Sequence, residues 1–368
     1  MKSYIVLLNE LKEKEIYLKT MPACCYIESI KGCPYSCAMC TVRFTKPQKI
    51  SSELLKKISP YFKYLEVLGI HGDGEPLLGD VAYFVEEAVK NDVVLHMNST
   101  GFFLTREIAD LLLKAKLSIR FSIHAGKPET YAKIMGNDFN KVLDNIAYLV
   151  KKDNENNKAS DLWFSFIVMK ENIDEIGEFL KVAHKTGIKH VRFMELVPNI
   201  DSVKGFKMPE RDLKFNYFEQ NDPAVGKMFL EKLPQYKLIA GELGIKIEVG
   251  SMEFASRKPY LVRKLFNKAT EKLFGTSFFP IVRRKGACVA PWIGQLVVEQ
   301  SGNVKLCCSC NYSVGDLNES TLEEIWNGEK MRHIRGSFKS GVFPKSCGYC
   351  RGIGFGEYPR NSAFGPMK

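Results

Sequence analysis

From residue 23 to residue 198, short apolar runs alternate with stretches in which apolar residues recur at helical spacing. Thr105 precedes one helical stretch as a typical N-cap, and Gly187 follows another as a typical C-cap residue. Strands that alternate with crossover helices pair in parallel, so the pattern predicts an α/β fold with one parallel sheet, either open or closed into a partial barrel. The predicted strands are Cys24–Ile30, Leu65–Ile70, Val93–Asn98, Ile119–Ile123, Trp163–Met169 and Val191–Leu196. The predicted helices are Ser51–Ser59, Asp80–Asn91, Thr105–Ala115, Asn140–Lys152 and Asn172–Thr186.

The pattern changes after residue 198. Four prolines interrupt residues 198–234, and the next predicted strand is Ile245–Val249. Residues 256–285 are rich in Lys and Arg interleaved with aromatic residues, which predicts an amphipathic basic helix. That helix either packs on the sheet with a solvated basic face or forms a lid or docking face for an anionic substrate.

The last part of the chain has a third pattern. Two alternating runs about Gly302 predict a β-hairpin that ends at Cys307. Ser320 and Glu323 have the spacing of a capping box, which predicts a helix that runs to Ile334. We therefore predict three domains, with boundaries at residues 1–198, 199–285 and 286–368.

Composition restricts the cellular setting. The chain has 368 residues, 45% of them hydrophobic, enough for one large core and a smaller module. Eleven cysteines without an export signal or a membrane span predict a reducing, cytoplasmic compartment and metal ligation. The net charge of +11 favours an anionic partner. No nucleic-acid-binding motif is present in the sequence, so we do not expect nucleic acid to be that partner.

Cys33, Cys37 and Cys40 lie in a short loop directly after the first predicted strand. Three thiolates at this spacing can converge on one metal centre. A structural zinc site would need a fourth ligand, whereas a [4Fe–4S] cluster on three cysteines leaves one iron open to an outside ligand. From the spacing alone, a zinc site and an iron–sulfur cluster both remain open.

This cysteine spacing resembles that of the radical SAM superfamily, with Met39 where an aromatic residue is common. The resemblance implies a curved (βα)6 partial barrel, with a cluster whose open iron binds S-adenosylmethionine (SAM). The stretch from His71 to Pro76 is similar to the family's Gly-Gly-Glu-Pro stretch. It implies that Gly72, Gly74 and Glu75 contact SAM, with Glu75 accepting hydrogen bonds from the SAM amino group.

Further residues follow the predicted strands, where parallel α/β folds place their active sites. Asn98 and Ser122 correspond to family positions that contact the ribose or the carboxylate of SAM. His124 stands where the family often has Asp, and Arg192 lies on the sixth strand. Both are candidates for contact with substrate, and both also have structural interpretations, Arg192 as an ion-pair partner.

Cys288, Cys307, Cys347 and Cys350 form a second set, gathered by the predicted hairpin and helix. Four thiolates complete the ligand set of either zinc or a cluster. The segment resembles the SPASM module of radical SAM enzymes, which implies a second [4Fe–4S] cluster. No cysteine follows Cys350, so the module is most similar to the single-cluster, twitch-like form.

The resemblance also implies a reaction. An electron from a donor such as flavodoxin or ferredoxin cleaves SAM, and the resulting 5′-deoxyadenosyl radical abstracts hydrogen from a substrate C–H. A fully ligated second cluster is suited to accept an electron, so we predict two-electron oxidation. Some twenty residues precede the first strand, where many peptide modifiers carry a leader-binding domain. We therefore expect a small molecule or sugar as substrate.

Three alternatives stay open. The enzyme is an epimerase if a thiol such as Cys310, expected in a loop beyond the hairpin, returns a hydrogen atom. It is a peptide-modifying enzyme if the substrate is a peptide. In a different class, both cysteine sets bind zinc in a scaffold protein whose basic segment docks on RNA or membrane.

Overall fold

The fold is described from a computed structural model of the chain, which describes residues 2–40, 42, 46–196, 215, 217–220, 222–250, 288, 290–308 and 310–340. No helix within these ranges combines the length and the apolar character needed to cross a membrane. The strands are β1 Cys24–Ile27, β2 Ile30–Lys31, β3 Gln48–Lys49, β4 Val67–Ile70, β5 Val94–Ser99, β6 Lys116–Ser122, β7 Asp161–Val168, β8 His190–Glu195, β9 Lys246–Val249, β10 Gly294–Val298, β11 Asn303–Cys307 and β12 Cys310–Asp316.

The helices alternate with the strands through most of the chain. The helix Lys2–Glu13 precedes the first strand. The α-helices are α1 Lys2–Glu13, α2 Ser52–Ile58, α3 Val81–Lys90, α4 Arg106–Leu112, α5 Pro128–Met135, α6 Phe139–Glu155, α7 Ile176–Lys185, α8 Tyr217–Gln220, α9 Pro223–Glu242, α10 Ala290–Ile293, α11 Leu322–Trp326 and α12 Glu329–Lys339.

Backbone contacts divide the chain into two compact units. The first contains Met1–Tyr26, Ser52–Glu66 and Ser256–Lys368, and the second contains Ile27–Ser51 and Val67–Ala255. This grouping places Met1–Tyr26 and Ser52–Glu66 in a different unit from the other residues of the predicted first domain, 1–198. The three predicted domain ranges stay a prediction.

The second unit is built on a parallel sheet in the order β4-β5-β6-β7-β8-β9. Five of the predicted strands are confirmed there, with ends that shift by up to three residues. The sheet also includes β9, a strand that the sequence predicted outside the barrel region. It pairs in parallel with β8, with Arg192 opposite Glu248.

The predicted first strand, Cys24–Ile30, is divided in two. β1 ends at Ile27, and Ile30 begins β2, which pairs antiparallel with β3. At the interruption both residues bond to distant segments of the chain: the Glu28 carboxylate accepts a hydrogen bond from Asp73 N at 2.9 Å, and Ser29 O accepts one from Ile50 N at 3.1 Å.

The helix ends follow the sequence signals closely. Thr105 caps α4 by accepting a hydrogen bond from Ile108 N at 3.3 Å, and Gly187 adopts a φ of 80° just beyond α7. Both predictions are confirmed. The helix α5 was not predicted, although Pro128 at its first turn and Gly136 after its end are ordinary helix boundary signals.

One face of the parallel sheet packs against helices through aromatic side chains. The rings of Phe166 and Phe179 are 4.6 Å apart, and those of Phe193 and Phe229 are 5.4 Å apart. Alternation along β8 buries Val191 and Phe193 on this face and leaves Arg192 half-buried on the other. The opposite face is therefore free to carry polar side chains.

The first unit contains the predicted hairpin of β10 and β11, with Gly302 at a φ of 98°. The hairpin is confirmed, but the predicted loop position of Cys310 is wrong. Cys310 begins β12, an antiparallel partner of β11, and stands opposite Cys307 in the register. β12 is a third strand that pairs with β11, and the sequence pattern did not indicate it.

The capping box lies one residue later than predicted. Thr321 Oγ1 accepts a hydrogen bond from Glu324 N at 3.2 Å, and Glu324 Oε2 accepts one from Thr321 N at 2.8 Å. The predicted single helix to Ile334 is also wrong, because α11 ends at Trp326 and Gly328 is the N-cap of α12.

Candidate active site

The three cysteines of the N-terminal set line one cavity of about 330 Å³ in the second unit. Cys33 and Cys37 are buried and Cys40 is half-buried. Over the residues that the structure describes, no three His, Cys, Asp or Glu side chains are arranged to hold a single metal ion. In a [4Fe–4S] cluster each cysteine binds a different iron, so what such a cluster requires is three thiols around one cavity.

Hydrogen bonds to two neighbouring segments hold the cysteine loop in place. Gly32 N donates to Asp73 O at 2.6 Å, and Ala38 N donates to Ile134 O at 2.7 Å. The Cys37 thiol donates to Met135 O at 3.6 Å. The loop is therefore fixed between the segment after β4 and the last turn of α5.

Burial controls the protonation of these thiols. It raises the pKa of Cys33 to about 11, an effect that the nearby Glu75 and Cys40 reinforce. Burial also raises the pKa of Cys37, again with a contribution from Cys40 and Cys33. In the metal-free loop Cys33 and Cys37 are therefore thiols near neutral pH, and binding iron would release their protons.

The glycines after β4 allow that segment to pack against the start of the cysteine loop. A Cβ at Gly74 would lie 2.4 Å from Ile30 O and 3.0 Å from Gly32 O, and a Cβ at Gly72 would lie 2.5 Å from Glu28 Cγ. Backbone oxygens cannot move aside as a flexible side chain can. Gly74 is therefore required for the packing itself, whatever it contacts in a bound ligand.

Replacing Gly74 with alanine should weaken SAM binding about tenfold or more. The added Cβ displaces the segment that forms one wall of the cavity, and displacements of this kind cost about 1–3 kcal/mol, where about 1.4 kcal/mol is tenfold in affinity. Calorimetry with SAM on the iron-reconstituted protein measures the effect. Gly177→Ala is the matched control, since a Cβ there meets nothing within 4 Å. Equal SAM affinity for the two variants would contradict the prediction.

Glu75 is buried, with 3% of its surface exposed, and its carboxylate joins the segments after β4 and β5. Oε1 accepts from Ser99 Oγ at 2.7 Å and from Leu77 N at 3.3 Å, and Oε2 accepts from Thr100 N and Thr100 Oγ1, both at 2.9 Å. Burial raises the pKa of this carboxyl, while the four hydrogen bonds act in the opposite direction. Glu75 thus has a structural function, and its contact with the SAM amino group stays a prediction.

The predicted SAM contacts and the predicted cluster ligands meet at the same place. Asn98 is the second-to-last residue of β5 and Ser122 is the last residue of β6, so parallel pairing brings both to the carboxyl end of the sheet. Their individual roles stay predictions. The predicted residues that line the cavity are Gly72, Gly74, Glu75, Asn98, Ser122, Cys33, Cys37 and Cys40.

Ser99 and Thr100, which follow Asn98 in the same polar stretch, also line the cavity, as does His71, to which the sequence analysis assigned no role. Burial, and then the neighbouring Arg120 guanidinium, lowers the pKa of His71 to about 4. The imidazole is therefore neutral at pH 7. Its position directly after β4 is a signal that could have identified it from the sequence.

The predicted catalytic residues lie elsewhere. Among the described side chains that line the cavity, neither His124 nor Arg192 is present. His124 Nδ1 accepts a hydrogen bond from Ile167 N at 3.2 Å, and burial lowers its pKa to about 4. Arg192 Nε lies 3.5 Å from Glu248 Oε1, an ionic contact without hydrogen-bond geometry. These contacts agree with the structural interpretations, and a catalytic role for either residue stays a prediction.

The second cysteine set is described only in part. Cys307 is buried at the end of β11 and Cys288 is half-buried. Cys347, Cys350, the side chain of Cys310 and the basic segment 256–285 lie outside the described residues. The auxiliary site therefore stays a prediction.

Two family models match the chain. The radical SAM superfamily model covers residues 27–183, and the SPASM iron–sulfur cluster-binding domain model covers residues 288–351. The mycofactocin maturase MftC of Mycolicibacterium smegmatis is 23% identical over 171 residues, which are 45% of this chain and 43% of MftC. The aligned region thus spans less than half the length of that relative.

Two solved structures are similar along most of the chain. SuiB of Streptococcus suis has a TM-score of 0.63 at 14% identity, covering 89% of this chain and 70% of SuiB. The enzyme anSMEcpe, solved with AdoMet and a peptide, has a TM-score of 0.62 at 17% identity, covering 90% of this chain and 86% of that one. SuiB has also been solved with its precursor peptide SuiA. At these identities the likeness shows the fold alone: an α/β partial barrel with a C-terminal antiparallel module.

Proposed function

Because this chain belongs to the radical SAM superfamily and carries a C-terminal SPASM iron–sulfur domain, we propose that it abstracts hydrogen from a peptide substrate. The observation that carries the proposal is the single cavity lined by Cys33, Cys37, Cys40 and the glycine-rich segment after β4. The peptide is supported by the relatives, of which one is named a maturase and two have been solved with bound peptides.

The donor set fits the cofactors of the family. Cys33, Cys37 and Cys40 would hold a [4Fe–4S] cluster with one open iron, beside the cavity that would hold SAM. When bound, the cluster supplies the electron that cleaves SAM to methionine and the 5′-deoxyadenosyl radical.

The chain itself supplies binding and position. Gly72 and Gly74 allow close packing of the cavity wall, and Glu75 fixes that wall to the residues after β5. Neutral His71 presents a hydrogen-bonding ring to the cavity without a charge.

For the outcome of the reaction we propose two-electron oxidation. One auxiliary cluster on Cys288, Cys307, Cys347 and Cys350 would accept the second electron, and a flavodoxin or ferredoxin would supply the first. The sequence analysis favoured a small molecule or sugar, but the comparisons favour its peptide alternative. Epimerisation with a thiol as hydrogen donor is the outcome that the test must separate from oxidation.

The test uses the anaerobically reconstituted enzyme with dithionite, SAM and synthetic copies of any short peptides that are found encoded beside its gene. We expect one peptide to raise 5′-deoxyadenosine formation and to lose two hydrogens, without gaining deuterium from heavy water. A product that keeps the hydrogen count of the substrate and carries one solvent deuterium at the reacting carbon would indicate epimerisation. Stimulation by sugars or other small metabolites and by none of the peptides would contradict the peptide proposal.

A further inference from the structure

The helix α5, whose last turn contacts the cysteine loop, carries a buried hydroxyl that the site described above does not use. Tyr131 is fully buried, and its ring packs on Phe139 with centroids 4.8 Å apart. Among the described residues, no atom forms a hydrogen bond with the Tyr131 hydroxyl. A buried hydroxyl without a hydrogen bond destabilises a protein by about 1–3 kcal/mol. We therefore expect the Tyr131 hydroxyl to form a hydrogen bond in another state of the protein.

The hydroxyl belongs to the helix whose last turn contacts the cysteine loop. Tyr131 precedes Met135 by four residues, which places both on one side of α5. On that side Met135 O accepts the hydrogen bond of the Cys37 thiol, and Ile134 O accepts that of Ala38 N. Burial raises the pKa of Tyr131, and the neighbouring Cys37 and Glu75 add to that effect.

Binding iron would change Cys37 from a hydrogen-bond donor into an acceptor. As a thiol, Cys37 donates its hydrogen to Met135 O. As an iron ligand it is a thiolate, which has lost that hydrogen and can only accept. The carbonyl of Met135 then has nothing to receive from the sulfur, whereas the hydroxyl one helical turn earlier has a hydrogen to donate.

We propose that the Tyr131 hydroxyl donates a hydrogen bond to the Cys37 sulfur of the loaded cluster and raises the reduction potential of that cluster. Reduction adds one electron to the cluster, and a hydrogen bond to a ligand sulfur stabilises the added negative charge. Tyr131 is thus a positioning and tuning residue. The inference rests on the radical SAM assignment and is independent of the peptide.

The test is Tyr131→Phe, which keeps the ring and removes only the oxygen. The variant should still load the cluster, identified by the part of its EPR signal that SAM perturbs. In an EPR-monitored redox titration we expect the ratio of reduced to oxidised cluster at the wild-type midpoint potential to be about tenfold lower than in the wild type, which is a fall of about 59 mV for one electron. Tyr236→Phe is the matched control. Tyr236 lies on α9, and its buried hydroxyl donates a hydrogen bond to Ile173 O at 3.3 Å.

A second measurement separates this role from a structural one. With no partner in the described metal-free chain, loss of the Tyr131 hydroxyl should leave the Tm of the metal-free protein unchanged or higher, whereas Tyr236→Phe should lower it. An unchanged cluster potential in Tyr131→Phe would overturn the proposal. So would a metal-free Tm that falls as much as in Tyr236→Phe, since the hydroxyl would then have a partner within the protein.

Discussion

Replacing Cys33, Cys37 and Cys40 together with alanine should reduce 5′-deoxyadenosine formation to the level of a protein-free blank. The three thiols are the only ones of the described cysteines that line the cavity, and without them the cluster has no ligands there. The variant should also lose about four irons per chain after reconstitution and keep about four on the proposed auxiliary site. Iron analysis and chromatography of the SAM products measure both effects.

A control variant that removes one thiol outside the cavity tests whether the effect is specific to the three cysteines. Cys25 is buried in β1 and does not line the cavity, so Cys25→Ala should retain both the iron and the SAM cleavage. Continued 5′-deoxyadenosine formation by the triple variant would refute the assignment of the cluster ligands. Stoichiometric zinc with no iron–sulfur absorbance in the purified wild-type protein would favour the scaffold alternative.

Replacing Arg335 with leucine should lower the free energy of unfolding by about 4 kcal/mol. Arg335 is fully buried in α12, and its guanidinium donates to Pro291 O, Ile16 O and Trp326 O at 2.8–3.0 Å. It also stacks over the Trp326 ring, 4.4 Å from the centroid. Leucine would leave these backbone carbonyls buried without donors, and each such group costs about 1–3 kcal/mol.

Denaturant unfolding followed by tryptophan fluorescence measures this effect, because Trp292 and Trp326 are both buried in the first unit. Arg332→Leu is the matched control on the exposed side of the same helix, where a change of less than about 0.5 kcal/mol is expected. Burial lowers the pKa of Arg335 to about 9, which shows how strongly its environment opposes the charge. Similar losses of stability in the two variants would contradict the role assigned to Arg335.

Local sequence pattern was sufficient for most of the parallel sheet and for the location of the candidate site. Strand and helix periodicity is a property of neighbouring residues, so β4 to β8 and the cap at Thr105 could be predicted directly. Parallel pairing then brings the carboxyl ends of these strands together, which is why Glu75, Asn98 and Ser122 could be placed beside the cysteine loop without coordinates.

Features that depend on contacts between distant segments could not be predicted in this way. The carboxylate of Glu75 is held by Ser99 and Thr100, and Gly74 packs against backbone far earlier in the chain. Cys310 joins a third strand because β11 offers it an edge, which no local periodicity reveals. In the same way, the sequence identified the cysteine loop by itself, but only tertiary packing placed α5, the helix that carries Tyr131, against that loop.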